Sequence, residues 1–207
     1  MRKEQKEFIG NSILRYGHIG DYAKVDIESD LHHDVHPSKI MTRFINSCAA
    51  ARHVGIKPLS NDPDYRQIVS ALIEAGADPD VGTGKYPPIV AAAEKGELGT
   101  VEVLLESGAD PNVNAEYPDR ALHFAAYNGH VDIIRLLLNT GVDVNTRGGD
   151  RNTALHYAVE NGQREAAEFL LLHGADPKAK NSARVSAYDM ASVKKDNEMR
   201  SIFTPFV

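Results

Sequence analysis

Apolar positions in this chain follow helical spacing inside a longer, fixed period. In RALHFAAYNGHVDIIRLLLNTGVDVN, residues 120–145, Leu122, Phe124, Ala125 and Ala126 fall on one face of a short helix. Asn128-Gly129-His130 interrupts it, glycine supplying a backbone conformation that other residues resist. Ile133, Ile134, Leu136, Leu137 and Leu138 follow at helical spacing, and Gly141 caps this second helix before Asp143-Val144-Asn145 turns onward. The pattern returns as TALHYAVENGQREAAEFLLLHG at 153–174, as PPIVAAAEKGELGTVEVLLESG at 87–108 and as SAYDMAS from Ser186. The copies begin at 87, 120, 153 and 186, a constant step of 33 without insertion. Such self-similarity marks a stacked array rather than one closed core. Two helices this short cannot cover their own apolar faces, so neighbouring copies must do it.

Motif, spacing and period together resemble the ankyrin repeat, whose T-P-L-H-x-A signature is varied here to Thr153-Ala154-Leu155-His156-Tyr157-Ala158. The resemblance extends over residues 68–191, well over half of the chain. It implies an all-α ankyrin-repeat solenoid, an elongated curved stack of helix-turn-helix units joined by hairpin-like loops. The expected repeats are about 38–80, 81–114, 115–147 and 148–180, with a C-terminal cap at 181–207 and a degenerate N-terminal repeat or helical cap at 1–37. The signature histidines His123 and His156 are implied to hydrogen-bond within and between loops. Arg120 stands for the signature Thr, and Val90 and Asp189 stand for its His; these departures are expected to weaken local loop bonding.

The flanks are less regular. Residues 4–16 predict a helix with Phe8, Ile9, Ile13 and Leu14 on one side. Gly17-His18-Ile19 then echoes Gly129-His130-Val131 of the central copy. Ser38 predicts the cap of a helix reaching about His53, with Ile40, Met41, Phe44 and Ile45 buried. Two prolines and several turn residues at 55–63 predict an enlarged loop, and a second helix from about Asp64 carries Ile68, Val69, Leu72 and Ile73. In the last copy Tyr188, Met190 and Ala191 face inward, and only Met199, Ile202 and Phe203 are left to pack beneath a polar outer helix. One wet face suits a terminal repeat.

Charge and cysteine usage narrow the partners. With 29 acidic and 23 basic residues the net charge is -6, which argues against nucleic acid, whose phosphates demand a basic field. The lone Cys48 can form no intramolecular disulfide and fits a reducing, cytoplasmic setting. It reads as a small buried residue rather than a nucleophile. The charged opening MRKEQKEF is followed by no apolar run, so neither a secretory signal nor a membrane span is expected. A monomer is expected.

Candidate chemistry is sparse. Leu31-His32-His33-Asp34-Val35-His36 offers metal-binding types, His32 and His36 sharing a helix face at four residues apart. Pro37 disfavours helix at His36 and no third ligand is evident, so a polar linker without metal is expected. GTGK at 82–85 lacks the spacing and the preceding strand of a phosphate loop. No nucleophile has a base and an oxyanion hole beside it, so no catalytic residue, enzyme activity or cofactor is expected.

Binding is the better expectation. By register with the family, a concave groove would be lined by Thr83, Gly84, Tyr86, Glu94 and Lys95 in one repeat. The next would add Glu116, Tyr117, Asp119, Tyr127 and Asn128, and the third Gly149, Asp150, Asn152, Glu160 and Asn161. The strip is acidic and carries tyrosines that packing does not require, features of interface anchors. A protein partner, including one with a basic segment, is therefore expected, the chain serving as adaptor, inhibitor or effector. Two other readings stay open. One is a regulatory or effector protein with a separate activity or metal site in its N-terminal segment; the other is a scaffold without a dedicated partner.

Overall fold

A computed structural model of the chain describes residues 1–15, 29–31, 33, 35–51, 63–81, 86–115, 118–193 and 197–207; side chains at 12–15, 46–51 and 63–65 are also left undescribed. Outside the described residues lie the Gly17-His18-Ile19 echo, His32, Asp34, most of the enlarged loop, Thr83, Gly84, Glu116 and Tyr117. The described residues form helices and turns, with one isolated bridge between Lys180 and Ser186. No described helix is long and apolar enough to cross a membrane.

The helices are α1 (Lys3–Arg15), α2 (Pro37–Ala51), α3 (Pro63–Glu74), α4 (Pro88–Lys95), α5 (Leu98–Glu106), α6 (Ala121–Asn128), α7 (Val131–Asn139), α8 (Ala154–Glu160), α9 (Arg164–Leu172), α10 (Ala187–Val193) and α11 (Asn197–Ser201). From α4 onward, first helices begin at 88, 121, 154 and 187 and second helices at 98, 131, 164 and 197. The step of 33 seen in the sequence is thus the step of the architecture. Gly129 shows why the break between paired helices is glycine. Its φ is +76°, and a Cβ there would meet Gln163 Oε1 at 2.5 Å.

Helix packing divides the described chain into two compact units. Unit 1 comprises Met1–Ala92 with Glu97–Asp110, and unit 2 comprises Ala93–Gly96 with Pro111–Val207.

In unit 1, α3 packs against α1, α2 and α5. Ile40, Met41, Phe44 and Ile45 on α2 are buried, as are Ile68, Val69 and Leu72 on α3, in line with the periodicity. Ser38 does not cap α2. The helix starts one residue earlier, with Pro37 at its first position, where a missing N–H costs nothing. His36 Nδ1 accepts from the Ser38 N–H at 3.3 Å, whereas Ser38 Oγ accepts from the Asp78 N–H at 2.9 Å. Ser38 therefore ties the start of α2 to the turn after α3. Among the described side chains of α1 only Ile9 is buried; Phe8 is 40% exposed. Adjacent helical positions point about 100° apart, so Ile9 is buried while Phe8 lines a cleft with residues of α3 and α5.

In unit 2, α6 packs against α7 and α8, α8 against α9 and α10, and α7 against α9. Leu122, Ala125, Ala126, Ile133, Ile134 and Leu137 are buried, and the equivalent positions on α8 and α9 are buried with them. Phe124, Leu136 and Leu138 are only half-buried. Met199, Ile202 and Phe203 close the last pair beneath α10.

Candidate functional site

Loop polarity in unit 2 is handled by two histidines. The Arg120 N–H donates to His123 Nδ1 at 3.0 Å, and His123 Nε2 lies 3.1 Å from the Thr146 carbonyl. Only an Nε2–H can serve that carbonyl, so the ring is neutral and its tautomer fixed. His156 repeats the arrangement. Its Nδ1 accepts from the Thr153 N–H and hydroxyl at 3.2 and 2.8 Å, and its Nε2 donates to the Val185 carbonyl at 3.1 Å. Burial pushes both imidazoles below their ordinary value of 6.5.

The expected weakening at the variant signature positions is not what the structure contains at two of the three. The Arg120 guanidinium donates to the Asn112 carbonyl, Thr146 Oγ1 and the Arg147 carbonyl at 3.0, 3.0 and 3.1 Å. A threonine is too short to reach these groups. Asp189 accepts from the Ser186 N–H and hydroxyl at 3.0 and 2.8 Å, and Ser186 Oγ accepts from the Asp189 N–H at 3.1 Å. These reciprocal bonds to the helix start hold the Asp189 carboxyl below the usual carboxylate range. Val90 alone, fully buried, has no polar atom with which to replace the histidine.

The expected binding residues occupy different environments. Tyr127 is 46% exposed although it follows the buried pair Ala125 and Ala126. Glu160 and Asp150 are also exposed, and Tyr86 is half-buried. Glu94 and Lys95 lie next to each other at 3.4 Å between charged atoms. Asn128 and Asn161, one period apart, donate to the Phe124 and Tyr157 carbonyls of their own helices. Asn152 Oδ1 accepts from the Asn181 side chain at 2.9 Å. Asp119 is a bracket: its Oδ1 accepts from the Gly149 N–H at 3.0 Å and from the Tyr157 hydroxyl at 2.9 Å. A Cβ on Gly148 would lie 2.1 Å from that oxygen, so this turn is closed around the carboxylate.

Beside the bracket, unit 2 contains a cavity of about 290 Å³. Phe124, Tyr127 and Tyr157 supply aromatic walls, and the buried His123 also lines it. Glu94, Asp119 and Asn128 supply oxygens. Tyr157 packs edge-to-face on both His123 and Tyr127, with ring centroids 5.8 and 6.3 Å apart. Burial and the Asp119 carboxylate raise the Tyr157 pKa, keeping its hydroxyl a donor. Sequence reading did not single out Tyr157. The usable signal was register, because Tyr157 stands one period after Phe124, on the wall that Tyr127 shares. Unit 1 has a broader cleft of about 450 Å³, lined by Phe8, Gln67, Ser70, Glu74 and Val103 and rimmed by Arg66, which bonds Glu102 at 2.7 Å.

A family model described as ankyrin repeats, in three copies, matches residues 89–181. Residues 89–181 are ankyrin repeats. No curated protein matches the chain. Ankyrin repeats are generally protein-protein interaction modules and are typically non-enzymatic.

The ankyrin register also explains the turns after the second helices. Asp143 and Asp176 accept from the N–H two residues on, and Asn145 Oδ1 accepts from the Asp176 N–H at 2.8 Å. The aspartates fix their own turns, and Asn145, which also donates to the Gly174 carbonyl, stitches consecutive ankyrin units. Of the histidine cluster, His33 Nδ1 donates to the Ser29 carbonyl at 2.8 Å, and His36 belongs to the start of α2. Among the described residues no group of three or more His, Cys, Asp or Glu is placed to hold a metal.

Proposed function

We propose that this ankyrin-repeat chain holds a protein or peptide partner, as an adaptor, inhibitor or effector, through the face of unit 2 that carries Tyr127. The observation behind this reading is Tyr127 itself. A large aromatic remains 46% exposed on α6, in edge contact with Tyr157 and flanked by the cavity. Pre-held aromatics of this kind lose little entropy on binding and serve as anchors. Glu94, Asp150 and Glu160 give the face a negative sign, which suits a basic segment. Lys95, Glu116, Tyr117, Asp119, Asn128, Asn152 and Asn161 belong to the same proposed strip, with Asp119 and the three asparagines shaping it, and Tyr86, in unit 1, is proposed as a contact by itself. The chain acts as a monomer in a cytoplasmic setting, in keeping with a single cysteine.

The test begins with co-purification of the intact chain and identification of what it retains. Association with that protein should slow steeply as salt rises, while dissociation changes less. An association rate indifferent to salt would remove the basic-segment reading. Retention of no protein by the intact chain would favour a scaffold without a dedicated partner.

A further inference from the structure

Resting on the interaction reading above, we infer that the unit 2 cavity is a socket for one arginine side chain of the partner. The oxygens on its walls are under-used. Asp119 Oδ1 takes two hydrogen bonds, and Asp119 Oδ2 takes none among the described residues. The Asn128 amide nitrogen is bonded to its own helix, leaving its oxygen to the cavity side. Glu94 adds a second carboxylate, met by Lys95 at 3.4 Å.

No lining residue is a lysine or arginine, and His123 is held neutral with both ring nitrogens occupied. The lining therefore offers acceptors and aromatic faces, and the cation beside it, Lys95, meets Glu94 from outside the lining and leaves Asp119 Oδ2 to an incoming donor. Rings attract cations through their quadrupole, more strongly for a guanidinium that can also stack. A guanidinium carries five donors in a planar fork, enough for acceptors on separate walls while one face covers a ring. An ammonium is a point charge and cannot do both. The volume, about 290 Å³, lies at the small end for ligand pockets, which suits one long side chain rather than a whole metabolite.

The probes are N-acetyl-arginine amide, its lysine counterpart, its neutral citrulline isostere and free agmatine, titrated into the intact chain with amide NMR shifts as readout. The arginine probe should shift the Tyr127, Asn128 and Gly149 amides saturably, binding about tenfold tighter than citrulline. Glu94→Gln and Tyr127→Ala, neither in the Asp119 bracket, should each weaken it several-fold without changing the melt. Asp119→Asn should weaken it too and is read only if its melt is retained. Equal response to citrulline, or none to arginine, overturns the socket. Agmatine binding more tightly than the peptide-like arginine overturns the side-chain assignment. No arginine response in a chain that still retains its co-purified protein sinks the socket and leaves the interaction reading intact. An arginine response in a chain that retains no protein keeps the guanidinium chemistry and sinks the interaction reading.

Discussion

In unit 2, His123 and His156 stand at the third position of α6 and α8, and each uses both ring nitrogens on backbone of its own helix start and the next loop. In unit 1 the same position of α4 is Val90, and the polar links described there include the Ser38 hydroxyl and the Asp80 carboxylate, which accept from the Asp78 and Asp110 N–H, and the ion pairs Arg43 to Asp30 and Arg66 to Glu102. A buried imidazole bonded at both ends leaves two stranded backbone groups when removed, whereas the part-exposed pair Arg66–Glu102 contributes at most about 1 kcal/mol. Imidazoles bonded at both ends fix two loops of unit 2; in unit 1 single hydroxyl and carboxylate acceptors, ion pairs and apolar packing take their place.

The largest effect expected is in the apolar contacts common to both. Leu137→Ala empties a fully buried position on α7 and should cost about 2–5 kcal/mol in denaturant unfolding. A loss below about 1 kcal/mol would mean the second helices are not the core of unit 2.

The next test separates the units. His156→Ala and Val90→Ala should each cost about 2 kcal/mol, but only the first should alter the response to pH. Burial lowers the pKa of His123 and His156, so the unfolded chain binds their protons first on acidification. Their contribution is complete above the unfolded value of 6.5 and is lost as pH falls below it, until the folded pKa values are passed. Melts between about pH 7.5 and 5 should fall in wild type and in Val90→Ala, and fall less in His156→Ala. Equal slopes in all three would undo the distinction drawn between the units.

A smaller gain is expected at the turn before α8. Asp150 and Arg151 have φ of +50° and +59°, a left-handed pair that costs non-glycine residues. Arg151→Gly should therefore stabilise by up to about 1 kcal/mol by melting. The smallest effect belongs to unit 1: Arg66→Ala should change stability by less than about 1 kcal/mol, since both partners are about one-third exposed. A larger loss would show that charge pairs, and not apolar packing, hold that unit.

These contrasts show what a single sequence makes legible. The step of 33, the helix starts and the buried Leu122, Ile134 and Leu137 follow from local spacing, and the structure repeats them. The role of Asp119 does not, because its partners Gly149 and Tyr157 lie 30 and 38 residues downstream. Local pattern makes it an acid at a loop tip, where the fold makes it a bracket. Arg120 reads as a lost threonine for the same reason, its three acceptors being loop groups 8 to 27 residues away. Phe8 and Ile9 are both apolar, and only the packing of α1 on α3 separates the buried Ile9 from the part-exposed Phe8. Within the candidate site, exposure of Tyr127 and Glu160 was legible from register, but the cavity behind Tyr127 depends on Tyr157 crossing from the next repeat.

The account centres on partner binding through unit 2, and the most direct measurement sets one unit's surface against the other's. The intact chain, a Tyr127→Ala/Glu160→Ala variant and a Phe8→Ala/Gln67→Ala variant are titrated against the co-purified partner, with melts recorded for each. The unit 2 variant should bind at least about tenfold more weakly at an unchanged melt, and the unit 1 variant should bind as wild type. Wild-type affinity in the unit 2 variant, together with loss in the unit 1 variant, would place the partner on the cleft beside Phe8 and contradict the account.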